Sequence, residues 1–413
     1  MDFASLFRHA VRKGDFTVID ANGRRHRFGG TPGPRSVIRL HSRKLHRQLF
    51  TNPWLKVGES YMDGTLTCEV GTTVYDLVDL GMANQAGLDS HPWLTALNGL
   101  NKAIRRVTQY NPIDRAQKNV AHHYDLDRHL FELFLDPSLQ YSCAYFEYPG
   151  PPLADAQKAK LRHVAAKLRL ATGQRVLDIG LGWGGLGIYL AQIADVEVLG
   201  VTLSTEQLAL ARERAERAGL ADRVRFELMD YRELDRRFDR IVSVGMFEHV
   251  GVVHYPAFFA KVASLLEPDG VALLHSIGRR DGPGFTNPWI RKYIFPGGYS
   301  PALSEVLPPV ERSGLAVTDI EVLQLHYAET LRAWRENVYA NRDEIRALYD
   351  DRFLRMWEFY LVASELTFRH GFNMVFQMQL AHDIAAVPLT RDYIDESKRE
   401  QTTRLSPRLK AAS

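Results

Sequence analysis

Cysteine is nearly absent: Cys68 and Cys143 are the only two in 413 residues. Two thiols cannot build a disulfide framework, and no paired-cysteine metal spacing can be made from them, which suits a reducing cytoplasm. Also missing is any apolar run long enough to span a bilayer, and no charged-then-apolar leader follows Met1. Membrane contact is therefore expected to be peripheral. Neither HExxH nor a Cys/His cluster occurs; His122 and His123 are adjacent but unaccompanied, so no metal site is expected. What remains, 45% hydrophobic and 24% charged, is the composition of a soluble globular protein with length for two or three domains.

The small net charge of +3 conceals an uneven distribution, because residues 1–60 hold 12 Lys or Arg against 4 Asp or Glu. A basic end of this kind suits anionic phospholipid or nucleic acid, or is simply a solvated face. The interleaved aromatics of a single-strand nucleic-acid platform are not evident there. Asp2 to Val11 places Phe3, Leu6, Phe7, Ala10 and Val11 at helical spacing beside Arg8, Arg12 and Lys13. Such a short basic amphipathic helix can lie on lipid or pack against its own domain, and its length favours packing. Alternation from Phe16 then leads to Asn22-Gly23, a strong hairpin signal, so residues 1 to about 80 read as a small α+β module. A linker with some helix, including 104–107, follows to about residue 120.

Arg175 to Gly185, RVLDIGLGWGG, is the organising stretch: an apolar strand ending in a glycine-rich turn that opens a helix. Gly180, Gly182 and Gly185 fit a dinucleotide-type spacing. Asp178, however, would repel a pyrophosphate while favouring a cationic ligand, and the next strand, Val196 to Val201, ends in Thr202-Leu-Ser204 without the acidic ribose ligand. The turn resembles motif I of the S-adenosylmethionine (SAM) methyltransferases. Around it, strands at 196–201, 224–229, 240–244 and 271–275 alternate with helices at 205–218 and 255–266, which spells a doubly wound parallel sheet. Ser204 and Gln207 form a capping box over the cofactor position. Upstream, residues 122–146 crowd aromatic and polar side chains together, which suggests a lid over a site, and Ala156 to Leu168 has the periodicity of an amphipathic helix. Downstream, 317–325 and 374–380 read as strands bracketing a long helical insertion, 327–370, and the charged tail after Arg391 reads as loose.

Several strings together carry a more specific resemblance: HYDL at 123, YSCAYF at 141, DIGLGWGG at 178, GVTLS-EQ at 200, DRIVSVGMFEHVG at 239, LLHSIG at 273 and NPWIRKYIFPGG at 287. From about 110 to 390 the chain resembles bacterial cyclopropane-fatty-acyl-phospholipid synthases. The shorter mycolic acid cyclopropane synthases share this core. The resemblance implies an α/β fold, a seven-stranded class I (Rossmann-like) methyltransferase sheet with helical insertions plus a small α+β N-terminal domain. It implies a division into a basic lipid-binding module with linker (1–110), a SAM-dependent catalytic domain (111–390) and a charged tail (391–413). The activity implied is methylene transfer from SAM across the cis double bond of unsaturated phospholipid acyl chains, at the inner membrane face. Two departures stand out: Leu181 where the family usually has Cys, expected to alter packing only, and Asp127-Arg128 after HYDL where a Gly-Asn pair is usual.

By resemblance the catalytic set is Cys143, Glu248, His275, the backbone of Ile277, and Tyr327, holding a bicarbonate that serves as base. The SAM set is Tyr141, Ser142, the 176–184 turn with Asp178, Gly180, Gly182 and Gly184, then Thr202, Ser204, Gln207, Asp230 and Tyr231. Taken singly, each catalytic residue also has an ordinary structural reading, a buried thiol, a helix-start hydrogen bond, a satisfied core histidine or a cap neighbour. The partners implied are unsaturated phospholipids, with a homodimer left open and no nucleic acid. Two rival functions remain: a lipid methyltransferase that loses a different proton and yields a methyl-branched or methylene product, and a non-catalytic lipid-binding protein that keeps the fold.

Overall fold

Gly23, at φ 82°, turns β1 (Lys13–Ile19) back onto β2 (Arg25–Gly29), as the Asn-Gly pair leads one to expect. In this computed structural model, which describes residues 3–104 and 126–410, β3 (Thr31–Leu40) runs parallel to β1, and β4 (Leu66–Cys68) completes the sheet β2-β1-β3-β4. The first helix, Phe3–Ala10, buries Leu6 and Ala10, and Phe7 meets the rings of Phe16 and Phe28 at 5.1 and 5.7 Å. It packs within its own unit. Pro92–Ala103 is helical with Ile104 as its C-cap, and the rest of the helix expected at 104–107 lies outside the described residues.

This N-terminal sheet belongs to a unit that is discontinuous in sequence, made of Met1–Thr108, Gly284–Pro296 and Ala328–Phe372. A boundary at residue 110 does not foresee that grouping. Helix Asp351–Arg369 packs on helices Pro53–Met62 and Val74–Ala83, where Val74, Val362 and Leu366 form a buried cluster. The reason is steric as well as apolar. Gly58 leaves room for Trp289, whose ring a Cβ there would approach to 2.5 Å, and Trp289 donates to the Met62 sulfur at 3.1 Å. The helical insertion expected at 327–370 is made of three helices, His326–Ala340, Arg342–Leu348 and Asp351–Arg369.

The second unit holds a seven-stranded sheet in the order β10-β11-β9-β8-β5-β6-β7. Its parallel part comprises β5 (Arg175–Ile179), β6 (Glu197–Thr202), β7 (Val224–Leu228), β8 (Phe238–Val244) and β9 (Leu266–Arg279). Antiparallel β11 (Asn373–Ala381) and β10 (Ala316–Val322) extend it beyond β9. β5 shows why the central strands read as unbroken apolar runs. Val176 packs into one core cluster while Leu177 and Ile179 pack into the other, so both faces are covered. The tail is a correction to the sequence reading: Asp392–Lys410 is a helix against helix Leu153–Leu168, with Ile394 and Gln401 buried and Gln401 bonded to the Tyr189 hydroxyl at 3.1 Å. Sparse apolar residues hid a helix anchored by hydrogen bonds.

One ionic joint in the first unit makes a pH-dependent prediction. Glu59 accepts from Lys292 and Lys56, both at 2.6 Å, and from the Tyr293 hydroxyl at 2.9 Å. Burial alone would raise its carboxyl, but these donors outweigh it and hold the pKa at about 2 instead of 4.5. The folded value lies below the unfolded one, so the stabilisation is complete above about 4.5 and is lost as the pH falls towards 2. Glu59→Gln is expected to destabilise the protein by about 1 to 2 kcal/mol at neutral pH. Thermal melts should show this deficit shrinking steadily on acidification; an undiminished deficit in acid would mean that packing, not charge, is what the substitution removes.

Candidate active site

A cavity of about 180 Å³ opens at the carboxyl ends of β5, β6 and β8, where parallel sheets place their ligands. Asp178, Gly180, Gly182 and Trp183 line it from the glycine-rich turn, Thr202 and Gln207 from the end of β6, and Asp230 and Tyr231 from the loop after β7. Tyr141 and Ser142 close it from the segment read as a lid. Gly182 sits at φ 54°, and a Cβ built there meets no protein atom within 4 Å, so a side chain would enter the open space that it borders. Gly184 is different. It does not line the cavity, and its missing side chain lets Ala211 and Phe226 approach instead.

The loop after β6 is preorganised by its own polar groups. Thr202 donates to Gln207 at 3.1 Å and accepts from the Ser204 amide at 3.2 Å, while Ser204 caps the next helix by accepting from the Gln207 amide at 3.3 Å. Ser204 is thus buried behind the wall, outside the lining. Asp230 is committed to Arg232, whose guanidinium binds both its oxygens at 2.8 and 2.6 Å. Tyr231 presents a ring set edge-on to Phe258 at 5.6 Å.

Among the buried polar atoms of the lining, Asp178 Oδ2, an acceptor, and Trp183 Nε1, a donor, have no protein partner. Burial pushes the Asp178 carboxyl up to about 7, against the opposing pull of Lys160. An anion-accepting and cation-accepting pair beside a side-chain-free turn fits the amino-acid end of SAM, and the apolar face of Tyr231 fits an adenine. Leu181, the first departure, is buried in the core cluster that includes Val198 and Phe226 and also lines the cavity, so its place is not confined to packing as expected. Asp127, the second, caps helix Arg128–Phe134 by accepting from the His129 amide at 2.8 Å; HYDL itself lies at the edge of the described residues, with 123–125 outside them.

None of the five residues in the resemblance-derived catalytic set lines this cavity; Cys143, Glu248 and His275 adjoin lining residues along the chain or across the sheet, and Ile277 is bonded to Glu248. Cys143 follows Ser142, and Glu248 lies in the short turn after β8 that also supplies Met246 and His249 to the lining. Glu248 Oε1 accepts from the Ile277 amide at 2.6 Å, so that amide is already occupied, while Oε2 is buried without a partner. Desolvation raises the Glu248 carboxyl to about 7. His275 pairs across the sheet with Gln377, which puts both side chains on one face; Gln377 Nε2 donates to Nδ1 at 3.2 Å, leaving Nε2 of the ring to carry the proton. Burial lowers the imidazole to about 3, so it is a neutral donor at working pH. Tyr327 follows His326, which accepts from the Phe146 amide at 2.9 Å.

The sequence reading missed Lys160. Helix Leu153–Leu168 was expected to be amphipathic, yet Gln157, Lys160, His163 and Lys167 are all buried. Their spacing of three, three and four places them on one stripe, a legible signal that polar groups on that helix face inward. Among the described residues no cluster of side chains suits a metal ion, and no helix is long and apolar enough to cross a membrane.

A glycine-turn cavity at the head of this sheet order defines a class I SAM-dependent methyltransferase. Within that class, residues 112–378 match the model of the mycolic acid cyclopropane synthetase family. The chain is 41% identical over 334 residues to the cyclopropane-fatty-acyl-phospholipid synthase of Escherichia coli K12, covering 80% of this chain and 84% of that one. It is 37% identical to tuberculostearic acid methyltransferase UfaA1 of Mycobacterium tuberculosis, over 82% of this chain and 81% of that one. The crystal structure of mycolic acid cyclopropane synthase CmaA1 complexed with SAH and CTAB superposes with a TM-score of 0.61 at 35% identity, over 66% of this chain and 99% of that one. The chain belongs to this cyclopropane synthase family.

Gly182→Ala tests the cavity. An alanine at this φ costs about 1 to 2 kcal/mol, which a protein with so large a core should survive, while the new methyl occupies ligand space. Calorimetry is expected to show at least tenfold weaker binding of S-adenosylhomocysteine, on the order of 1.4 kcal/mol, with circular dichroism unchanged. Wild-type affinity in the variant would place the cofactor elsewhere.

Proposed function

We propose that the protein transfers a methylene group from SAM across the cis double bond of unsaturated phospholipid acyl chains, making a cyclopropane. The observation that carries this reading is a pair of buried groups on neighbouring strands: Glu248, just past the end of β8, with one unpartnered oxygen, and a neutral His275, opposite Val244 within β9, whose donor nitrogen is fixed by Gln377. Bound SAM supplies an electrophilic methyl. The alkene's π electrons form the new C–C bond as the C–S bond breaks, leaving a carbocation on the acyl chain, and loss of a proton from the transferred methyl closes the ring. A site for that proton must be dry and must offer both a donor and an acceptor.

Glu248, His275, Cys143 and Tyr327 have the donors and acceptors to hold a bicarbonate, which would supply a base there. The unpartnered Glu248 oxygen and the proton on His275 Nε2 suit such an ion, and a Glu248 carboxyl near 7 can carry or release a proton at working pH. A second reading is favoured by the likeness to the tuberculostearic acid methyltransferase: loss of a proton from a chain carbon beside the cation gives a methyl-branched alkene, and a 1,2-hydride shift before loss of the methyl proton gives a methylene product.

Lipid access is proposed to be peripheral, at the cytoplasmic face, through the basic N-terminal residues, among which Arg24, Arg25, Arg35 and Lys44 are exposed. Replacing these four with Gln should weaken sedimentation with anionic vesicles by at least about tenfold, at about 1 kcal/mol per basic residue near the surface. Salt should erase the difference; equal sedimentation at low salt would remove this face from the account.

Glu248→Gln preserves shape but changes proton inventory. It is expected to lower turnover by about a hundredfold and to leave S-adenosylhomocysteine affinity within about twofold. Wild-type turnover should fall in buffer stripped of carbon dioxide and recover on adding bicarbonate. Near-normal turnover in the variant, or indifference of the wild type to bicarbonate, would place the base elsewhere.

A further inference from the structure

Lys160 is 1% exposed, and among the described residues its ammonium has no carboxylate within ion-pair distance. The same helix offers the contrast. Lys167, equally buried, is neutralised by Glu321 at 2.5 Å and Asp319 at 3.2 Å. Lys160 instead donates to two neutral oxygens, Gln140 Oε1 at 2.6 Å and Ser142 Oγ at 2.8 Å, and both of those residues line the cavity. One turn earlier, Gln157 donates to the Gln140 and Ser142 carbonyls at 3.2 and 3.0 Å, so the wall segment is gripped from behind by one helix face.

An ammonium is a donor only. Ser142 Oγ must therefore accept from Lys160, and its own hydroxyl proton is left to point elsewhere, away from the lysine. A buried cation without a counter-ion is costly unless something anionic completes it. Two buried acids act on Lys160 through space, Asp136 first and then Asp178; of these Asp178 lines the cavity and keeps one oxygen unpartnered. The cavity end between Lys160 and Asp178 thus offers a positive and a negative pole.

We infer that Lys160 is a positioning residue that, acting through Ser142, makes this wall the receptor for the α-carboxylate of the methionine portion of SAM, opposite Asp178 as receptor for the α-ammonium. The inference rests on the cavity being the SAM site. The carboxylate adds negative charge on the Ser142 side of Lys160, where no carboxylate is paired with it directly, and Lys160 fixes the direction of the Ser142 hydroxyl without touching the ligand. Cofactors that lack the carboxylate gain nothing from it.

The test compares two probes by calorimetry: S-adenosylhomocysteine and its decarboxylated form, S-adenosyl-3-thiopropylamine. Wild type should prefer the first. Lys160→Met should weaken S-adenosylhomocysteine by at least about tenfold and leave the decarboxylated probe within about twofold, erasing the preference. Ser142→Ala, which leaves Lys160 bonded to Gln140, should reduce the preference in the same sense and decides the matter if Lys160→Met does not fold. Equal loss of both probes would make Lys160 a purely structural residue and overturn the inference. A retained preference together with a lost response to bicarbonate would assign the charge to a different anion and also overturn it. If wild type bound neither probe, the SAM reading of the cavity itself would fall.

Discussion

The second unit depends on one constraint, that the backbone at the carboxyl end of β5 must come close to a ligand without side chains in the way. Val176, Leu177 and Ile179 fix that strand in the middle of the sheet by packing to both sides. Because the strand cannot shift, the turn after it is held where Gly180 and Gly182 border the cavity. The remaining walls are then brought in by strands registered to β5, with Thr202 at the end of β6 and Glu248 just past β8. Precision at the site is inherited from a core of large apolar side chains, which is where its rigidity comes from.

Burial also sets the proton chemistry. The same desolvation raises the carboxyls of Asp178 and Glu248 to about 7 and lowers His275 to about 3. Two acids become easy to protonate and one base becomes a neutral donor. An enzyme handling a carbocation needs this dryness, since water would quench the cation before the ring could close. The Gln377 amide opposite His275 matters for the same reason, as it decides which ring nitrogen carries the proton.

Much of this was legible in the chain. The parallel strands were readable because buried strands are continuous apolar runs, and the string around Asp178 marked the turn that borders the cavity. What was not legible follows from contacts between distant residues. Nothing local in Gly58 or Trp289 announces that one makes room for the other. The C-terminal helix was missed because its anchoring relies on polar side chains such as Gln401 and Tyr393 more than on an apolar stripe. Lys160 was passed over because a lysine on a helix is ordinarily solvated, although its three-residue spacing from Gln157 and His163 marked a polar face turned inward. Ser204 and Gly184 were grouped with the ligand contacts by their motif, whereas each supports the wall from behind.

The central claim is ring formation on a lipid chain. The most direct measurement incubates the full-length protein with methyl-¹³C SAM and vesicles of a monounsaturated phospholipid, then records NMR spectra of the released fatty acids. The account predicts label in a strongly upfield cyclopropane methylene that survives hydrogenation. Label found only in a methyl branch or an olefinic methylene, or no transfer to lipid at all, would contradict it.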